Sequence, residues 1–393
     1  MNRRLIASIL AAASVAALSV SPAFAQSRHA GSITLNGIGS SADAPLFAVA
    51  FNGAHYSYNG SAVSATYNPA GSGGGQKSLA SNCGQTGGVP GNWDWGSWDV
   101  AQGIPGDSFC DQSKITQFPI TAFGAAIITN LPQKVQSDLR LTGGILDGIF
   151  TGGITTWGNK AIQKVNPQLL PAKKKGKKKK VCDAACKAYK GVEKESITPV
   201  VRSDSSGTTF AFTSYLCSLN GAYKTKYGTG PICPSKLPSW TWTAGSKSAG
   251  LDAVVQQTPG AIGYVETFYA SQNNETPAYI RNAAGKFVQP TVADVASDVA
   301  NGTSSNFDDT YPNFVIVNAG GKNSYPISTY SWTGLYTKGS DGQDSSNCGA
   351  TKAAFQWFVS AKGGQKYAAN NGYAPLASAV TTYAENKLKN VNC

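Results

Sequence analysis

Short apolar runs alternate with segments of helical periodicity along most of this chain. Residues 32–40 (SITLNGIGS) predict a strand that ends in a glycine turn, and residues 44–56 predict the helix that follows it. Residues 62–82 and 197–219 each repeat the order of strand, small-residue turn and helix. This alternation predicts an α/β architecture with a largely parallel sheet.

The remaining segments fit the same architecture. Residues 114–130 predict a pair of strands with an apolar second half, and residues 144–167 predict a short helix, a turn and a second helix. Residues 249–270 predict a helix, a Pro-Gly turn and a buried strand. Residues 353–373 predict closing amphipathic helices. No internal sequence repeat interrupts this order.

Three of the predicted strand-to-helix turns are made of small hydroxylated residues and glycine: residues 37–47, 70–79 and 203–212. The first N–H groups of a helix lack partners and its dipole is positive there, so small residues let an anion approach. One such turn is ordinarily only an N-cap. Three in one chain, one of them directly preceded by Arg202 with its fork of donors, predict an oxyanion site.

Two carboxylates accompany these turns. Asp204 lies two residues after Arg202, and Asp99 ends the segment DWGSWD. A carboxylate repels an anion unless the anion brings a proton, as phosphate does near neutral pH and sulfate does not. Asp99 and Asp204 would then favour phosphate over sulfate. The alternative is that Asp204 only orients Arg202 and Asp99 lies on a surface turn, and spacing alone favours this alternative.

The first 25 residues have the pattern of a cleavable secretory signal peptide. Arg3 and Arg4 precede an apolar run from Leu5 to Val20, and Ala23–Ala25 forms an A-x-A cleavage site. A retained membrane anchor is the alternative, but the apolar run is short for a span of about 20 residues. No cysteine that could accept a lipid follows before Cys83. We therefore expect an exported protein, periplasmic or secreted, without a lipid anchor.

The chain has eight cysteines. An even number in an exported protein indicates disulfides, although connectivity cannot be deduced from sequence. Sequence proximity favours the pairs Cys83–Cys110, Cys182–Cys186, Cys217–Cys233 and Cys348–Cys393. A zinc site is the alternative for Cys182 and Cys186. The chain offers only two histidines and no second cysteine pair at ligand spacing, so the sequence predicts no metal.

The formal net charge of +12 is concentrated in one segment, because seven lysines lie in Lys173–Lys180. Such a run repels itself and stays solvated, which predicts an exposed Lys-rich insertion near residues 172–190. A contact with a polyanion through Lys173–Lys180 is the alternative. The absence of interleaved aromatic residues disfavours single-stranded nucleic acid as that polyanion.

The chain resembles the phosphate-binding protein of the Pst-type phosphate ABC transporter, a class II periplasmic binding protein. The resemblance extends from about residue 33 to about residue 385. It is carried by VVRSDSSGTTFAFTSYL and PGAIGYVETFYA, with GIGSSADAPLF, YNPAGSGGGQKSL and LDGIFTGGITTWGNKAIQKVNP, in the family's order. It implies two α/β lobes joined by crossing hinge strands around a central ligand cleft.

The resemblance also implies a set of phosphate ligands. Asp99 would accept the phosphate proton, Arg202 would form a bidentate salt link, and Asp204 would orient Arg202. The full implied set is Ser41, Ala42, Ser72, Asp99, Arg202, Asp204, Ser206, Gly207 and Thr208. The sequence departs from the family at four positions. In the first turn, Ser41 replaces a threonine, Ala42 an aromatic residue and Asp43 a proline. Just before Asp99, Trp98 replaces a small residue.

The implied lobes are residues 26–118 with 327–393, and residues 119–326. Binding would close the cleft, and a membrane permease would recognise the closed form. The expected function is delivery of inorganic phosphate to an ABC-transporter permease in the inner membrane, without catalysis or cofactor, and with arsenate as a mimic.

Three alternatives to phosphate delivery stay open. The first is a secreted relative that scavenges phosphate or attaches to surface polyanions. The second is the same fold selecting sulfate or molybdate. The third, an enzyme, is disfavoured because neither an activated nucleophile with a base nor a metal cluster is visible in the sequence.

Overall fold

The computed structural model describes residues 31–83, 86, 88–101, 114–173, 179–228, 243–338 and 345–393. The described strands are β1 (Ser32–Gly39), β2 (Asn52–Tyr58), β3 (Ser61–Asn68), β4 (Trp95–Trp98), β5 (Ile115–Thr129), β6 (Arg140–Leu141), β7 (Ala172–Lys173), β8 (Lys180–Val181), β9 (Thr198–Arg202), β10 (Thr243–Gly245), β11 (Ala261–Glu266), β12 (Tyr279–Arg281), β13 (Phe287–Val288) and β14 (Ser328–Tyr336).

The described α-helices lie between and after these strands. They are α1 (Ala44–Ala50), α2 (Ser72–Leu79), α3 (Gln133–Gln136), α4 (Gly143–Ile149), α5 (Lys160–Val165), α6 (Ala184–Val192), α7 (Gly207–Ser218), α8 (Ala222–Tyr227), α9 (Lys247–Gln257), α10 (Thr267–Gln272), α11 (Val292–Gly302), α12 (Ser345–Val359), α13 (Gly364–Asn370) and α14 (Ser378–Leu388). Short 3₁₀ turns cover Ala80–Cys83 and Pro167–Leu169. No described helix combines the length and the apolar character needed to cross a bilayer.

The main sheet has nine strands in the order β10-β9-β11-β5-β14-β4-β1-β3-β2. On one side β1 runs parallel to β3 and β4, and on the other side β9 runs parallel to β10 and β11. The central pair β5 and β14 is antiparallel, as are the contacts of β5 with β11 and of β14 with β4. The α/β prediction is confirmed, but the expectation of a largely parallel sheet was wrong, because β5 and β14 join two parallel groups of opposite direction.

The register places the ends of these two groups opposite each other. Strand β4 pairs with the same part of β14 that pairs with Gln117–Pro119 of β5. Strand β4 runs in the same direction as β5, towards the carboxyl end of β5. Strand β11 pairs with Ala125–Thr129 and runs the other way. The carboxyl ends of both parallel groups therefore point at each other across the middle of the β5–β14 ribbon. Turns that follow such strands are where α/β sheets bind ligands.

Two predicted elements differ from the structure. The helix expected over residues 44–56 ends at Ala50, and Asn52–Tyr58 is a strand that pairs with β3. Asn59 and Gly60, at the turn of this hairpin, have φ of 48° and 80°. Asn-Gly with both φ positive is a strong hairpin signal, and a longer helix would have had to override it.

The second difference is that residues 114–130 form one strand of 15 residues rather than a strand pair. Pro119 cannot donate a ladder hydrogen bond, and it lies opposite the irregularity in β14 between Ser331 and Trp332. All residues of β5 are buried, which explains its nearly continuous apolar character. The expected lobe boundaries fall within β5 and just before β14, and they stay predictions.

Two of the expected disulfides are confirmed, Cys182–Cys186 and Cys348–Cys393. The pairs expected for Cys110 and Cys233 lie outside the described residues, as does the signal peptide. Residues 174–178 of the Lys-rich insertion also lie outside them, between the paired strands β7 and β8. The exposed insertion and its polyanion contact stay predictions.

Candidate functional site

Four polar side chains lie where the two parallel groups of strands end. Ser40 follows β1, Asp99 follows β4, Arg202 ends β9 and Glu266 ends β11. All four are buried, with at most 8% of each residue exposed. Buried charged groups need partners, so the environment of each determines what this site can do.

Asp99 is bound by hydroxyl groups on one oxygen only. Its Oδ2 accepts hydrogen bonds from Ser40 Oγ at 2.7 Å and from Ser72 Oγ at 3.0 Å. Its buried Oδ1 receives no hydrogen bond from the described residues. Burial raises the pKa of Asp99 to about 7, and the charge of Glu266 adds to this, whereas the two hydroxyls and Arg202 act against it. Asp99 therefore has a free acceptor oxygen.

Arg202 is bound by its neighbour Asp204 in a two-bond fork. Its Nε donates to Asp204 Oδ1 at 2.7 Å and its Nη2 donates to Asp204 Oδ2 at 2.6 Å. Lys247 N–H also donates to Asp204, at 2.8 Å. Burial opposes ionisation of Asp204, but the hydrogen bonds and charge of Arg202 outweigh it and hold the Asp204 pKa below its ordinary value. The guanidinium is thus fixed in orientation.

The remaining guanidinium nitrogen points to a second polar group. Arg202 Nη1 donates to Ser248 Oγ at 3.1 Å and lies 3.9 Å from Glu266 Oε1. Ser248 Oγ in turn donates to Glu266 Oε1 at 3.0 Å. Thr208 Oγ1 donates to the same carboxylate oxygen. Arg202 is thereby connected through Ser248 to the carboxyl end of β11.

Direct contacts join the two groups of strands at this point. Gly207 N–H, at the start of α7, donates to Ser72 Oγ at the start of α2, at 3.3 Å. Ser41 Oγ and Ser248 Oγ are 3.0 Å apart. A Cβ added at Gly207 would lie 2.3 Å from the Cβ of Asp99. Glycine is therefore required for α7 to approach Asp99 this closely.

The structure brings the predicted site residues together, although several of them already have partners within the protein. Ser206 Oγ accepts from Thr209 N–H at 3.2 Å and caps α7. Ala42 N–H donates to Ser40 Oγ at 3.1 Å. The alternative that Asp99 lies on a surface turn is wrong, because Asp99 is only 1% exposed. The ligand roles themselves stay predictions.

Three residues of the site were not predicted: Ser40, Ser248 and Glu266. Ser40 immediately precedes the predicted Ser41, and Glu266 lies inside the segment PGAIGYVETFYA, so both had a local signal. Ser248 had none, because it enters the site only through its contacts with Arg202, Ser41 and Glu266.

The site combines one oriented guanidinium, several hydroxyl groups, a helix N-terminus and a carboxylate oxygen that is free to accept. This set is suited to a small oxyanion that carries a proton. Within the part of the chain that the structure describes, no cluster of histidine, cysteine, aspartate or glutamate could hold a metal ion.

Comparison with known proteins places the chain in a family. The sequence model of the PBP superfamily domain matches residues 25–362. The chain is 35% identical over 277 residues to the phosphate-binding protein PstS of Xylella fastidiosa strain Temecula1, which covers 69% of this chain and 67% of that protein. It is 30% identical over 350 residues to PstS of Pasteurella multocida, which covers 88% of this chain and 87% of that protein.

Solved structures share the fold. A high-affinity periplasmic phosphate-binding protein, PfluDING, solved with phosphate, superposes with a TM-score of 0.61 at 20% identity, covering 90% of this chain and 93% of that one. A phosphate ABC transporter substrate-binding protein from Clostridium perfringens, described as putative and solved with phosphate, gives a TM-score of 0.53 at 17% identity, covering 88% of this chain and all of that one. The two-lobed periplasmic-binding-protein fold expected from sequence is confirmed.

Proposed function

Because this chain belongs to the PstS phosphate-binding proteins, within the PBP superfamily, we propose that it binds inorganic phosphate where the ends of β1, β4 and β9 meet. The protein then presents the bound ion to the permease of a phosphate ABC transporter. The proposed location of the protein is the periplasm. The structural relative PfluDING is described as a periplasmic protein.

One observation carries this proposal: Asp99 Oδ1 is buried and receives no hydrogen bond from the described residues, although Arg202 lies close enough to influence the pKa of Asp99. When Asp99 is ionised, a fully deprotonated anion has no hydrogen to donate to this oxygen. Hydrogen phosphate or dihydrogen phosphate has a P–OH group that donates to it. The cost of leaving a buried acceptor without a donor, about 1–3 kcal/mol, then becomes selectivity for phosphate over sulfate.

The other groups of the proposed site stabilise the negative oxygens. Arg202 supplies positive charge from one side while Asp204 fixes its plane. Ser72 and Ser41 supply hydroxyl groups from the opposite side, with the Ala42 N–H beside them. The proposed set is completed by the hydroxyl and N–H groups at the start of α7, from Ser206, Gly207 and Thr208.

The proposal includes closure of two lobes around the ion. Residues 26–118 with 327–393 would form one lobe and residues 119–326 the other, with β5 and β14 passing between them. Only a closed form places Ser72 and Arg202 on the same ion. Such a requirement makes closure a consequence of binding, because phosphate interacts more favourably with the closed state.

The test is calorimetric titration of phosphate-stripped protein with phosphate and with sulfate near neutral pH. We expect phosphate to bind and sulfate to be inert. Asp99→Asn replaces the acceptor with an amide and should weaken phosphate binding by roughly tenfold to a hundredfold. The substitution should also reduce the difference in affinity between phosphate and sulfate.

Asp298→Asn is the matched control for this titration. Asp298 is also buried, accepts a hydrogen bond from Ala319 N–H at 3.2 Å, and has a buried Oδ2 without a donor among the described residues. Its substitution should leave both titrations unchanged. Binding of sulfate as tightly as phosphate, or failure of both anions to bind, would contradict the proposed function.

A further inference from the structure

A second carboxylate, Asp43, lies buried behind the first turn of the site. It precedes α1, directly after Ser41 and Ala42, and is 0% exposed. Its Oδ1 accepts a hydrogen bond from Ser331 Oγ at 2.6 Å. Its Oδ2 is also buried and makes no hydrogen bond with the described residues. This carboxyl group is therefore only half satisfied.

The groups that face Asp43 do not compensate a negative charge. Asp99 and Glu266 are close enough to repel it, and the phenols of Tyr67 and Tyr373 lie near it. The hydroxyls of Ser331 and Ser97 are its polar neighbours. Among the described residues, Asp43 forms no ion pair, and the guanidinium of Arg202 is paired with Asp204 and lies beside Glu266. An ionised Asp43 would be a buried, uncompensated charge, which is costly.

We propose that Asp43 is held as a neutral carboxylic acid and that its ionisation sets the alkaline limit of phosphate binding. This inference rests on the proposed function. While Asp43 keeps its proton, it adds no charge to the first turn of the site. Once Asp43 loses the proton, a negative charge lies next to Ala42 and close to Asp99. This charge repels the bound anion.

The electrostatic environment agrees with this assignment. Burial raises the pKa of Asp43 well above its ordinary value, and the neighbouring Asp99 raises it further. The hydrogen bond of Ser331 and the nearby hydroxyl of Ser97 lower the Asp43 pKa but do not offset the effect of burial. A carboxyl group in this environment keeps its proton to a higher pH than an exposed aspartic acid does.

The experiment compares wild type with Asp43→Asn by phosphate titration from about pH 6 to about pH 9.5. Asparagine is close in shape to a neutral aspartic acid but cannot ionise. The ratio of the two dissociation constants at each pH cancels the ionisation of phosphate itself. At pH 6 we expect the dissociation constants of wild type and Asp43→Asn to agree within about threefold. At the alkaline end the dissociation constant of wild type should be about tenfold or more above that of Asp43→Asn, because only the wild type gains a charge.

Asp298→Asn serves again as the control, because it removes a buried carboxyl group that contacts none of the proposed phosphate ligands. The ratio of the phosphate dissociation constants of wild type and Asp298→Asn should not change with pH. A flat ratio for Asp43→Asn, with both proteins binding phosphate, would overturn the inference and leave the proposed function standing. Tighter binding by Asp43→Asn already at pH 6 would also overturn it, since Asp43 would then be ionised throughout.

A second measurement does not depend on phosphate. The infrared difference spectrum of wild type minus Asp43→Asn, recorded near neutral pH, should contain the C=O stretching band of a protonated carboxyl group. This band should disappear at alkaline pH. Absence of the band at neutral pH would refute a neutral Asp43 even if the protein bound no phosphate. If wild type binds no phosphate at any pH, the proposed function fails separately.

Discussion

The two sides of the site treat the same kind of side chain in opposite ways. On the β9 side, Asp204 receives two hydrogen bonds from Arg202 and one from Lys247 N–H, and its pKa is lowered. On the β4 side, Asp99 receives hydrogen bonds only from hydroxyl groups, and burial raises its pKa to about 7. Asp204 is a permanent anion, whereas Asp99 is poised between two protonation states.

This difference separates two tasks of an anion site. The β9 side supplies a fixed positive group whose orientation does not change with pH, because its counterion is always present. The β4 side recognises whether the ligand carries a proton, because its free oxygen can accept one hydrogen bond. A site with only the first side would attract any small oxyanion. The second side adds selectivity at some cost in charge repulsion.

The most severe way to disturb this arrangement is to remove the fixed charge. Arg202→Met leaves Asp204 and Glu266 without their cation and should weaken phosphate binding by about a thousandfold or more. Arg202→Lys keeps the charge but loses the planar fork, so we expect a loss between that of Arg202→Met and wild type. Calorimetry measures both, with Arg281→Met at an exposed position as control. Wild-type affinity in Arg202→Lys would show that fork geometry is unimportant.

The next prediction concerns the distance between the two sides. Gly207→Ala places a Cβ 2.3 Å from Asp99 Cβ and 2.8 Å from its Cα, so α7 must move away. Displacement of this size should weaken phosphate binding by roughly tenfold to a hundredfold. The matched control is Gly191→Ala in α6, where a Cβ meets no atom within 4 Å. That control should bind normally and gain about 0.5–1 kcal/mol of unfolding free energy.

A smaller effect is expected from loosening the guanidinium without removing it. Asp204→Asn keeps one acceptor oxygen for Arg202 but ends the charged fork. Phosphate affinity should fall by roughly tenfold, because Arg202 must be reoriented on binding. The exposed Asp138→Asn is the control for a surface charge change. An unchanged affinity in Asp204→Asn would mean that Arg202 is oriented by Ser248 and Glu266 alone.

The last prediction concerns the stability of the ligand-free protein rather than phosphate affinity. Since the Asp99 pKa is raised from 3.8 to about 7, the native state binds more protons than the unfolded state between these values. The Asp99 contribution to the unfolding free energy should therefore decrease as pH rises through this window. Urea melts measure the unfolding free energy at each pH. The slope of this free energy against pH should be less negative in Asp99→Asn than in wild type, by up to about 1 kcal/mol per pH unit. An identical slope in both proteins would indicate that Asp99 has an ordinary pKa.

Much of the local structure followed from residue patterns. The three glycine and serine turns lie between a strand and a helix as predicted, because small residues allow close backbone approach. A hydroxyl side chain caps the helix in one of the three turns, where Ser206 caps α7. Arg202 and Asp204 are two residues apart, so their pairing was a local expectation that the structure confirms. The Cys182–Cys186 and Cys348–Cys393 pairs also followed the order of the cysteines.

Two elements were mispredicted because the deciding interaction was pairing or burial rather than periodicity. The second half of residues 44–56 has helical character in isolation but pairs with β3 through the Asn59–Gly60 turn. Residues 114–130 were expected to form two strands, but they form the single strand β5, and the irregular register of β14 accommodates Pro119.

By itself, the sequence determined which turns can approach an anion and which charged residue lies on them, since these properties depend on residues close together in the chain. Only the tertiary structure decided that Asp99 is buried with one free oxygen, that Ser40, Ser248 and Glu266 join the site, and that Asp43 stands behind it. These facts depend on two parallel groups of strands ending face to face along β5 and β14. Burial and the partners of a carboxylate fix its charge, and both come from residues that are distant in sequence.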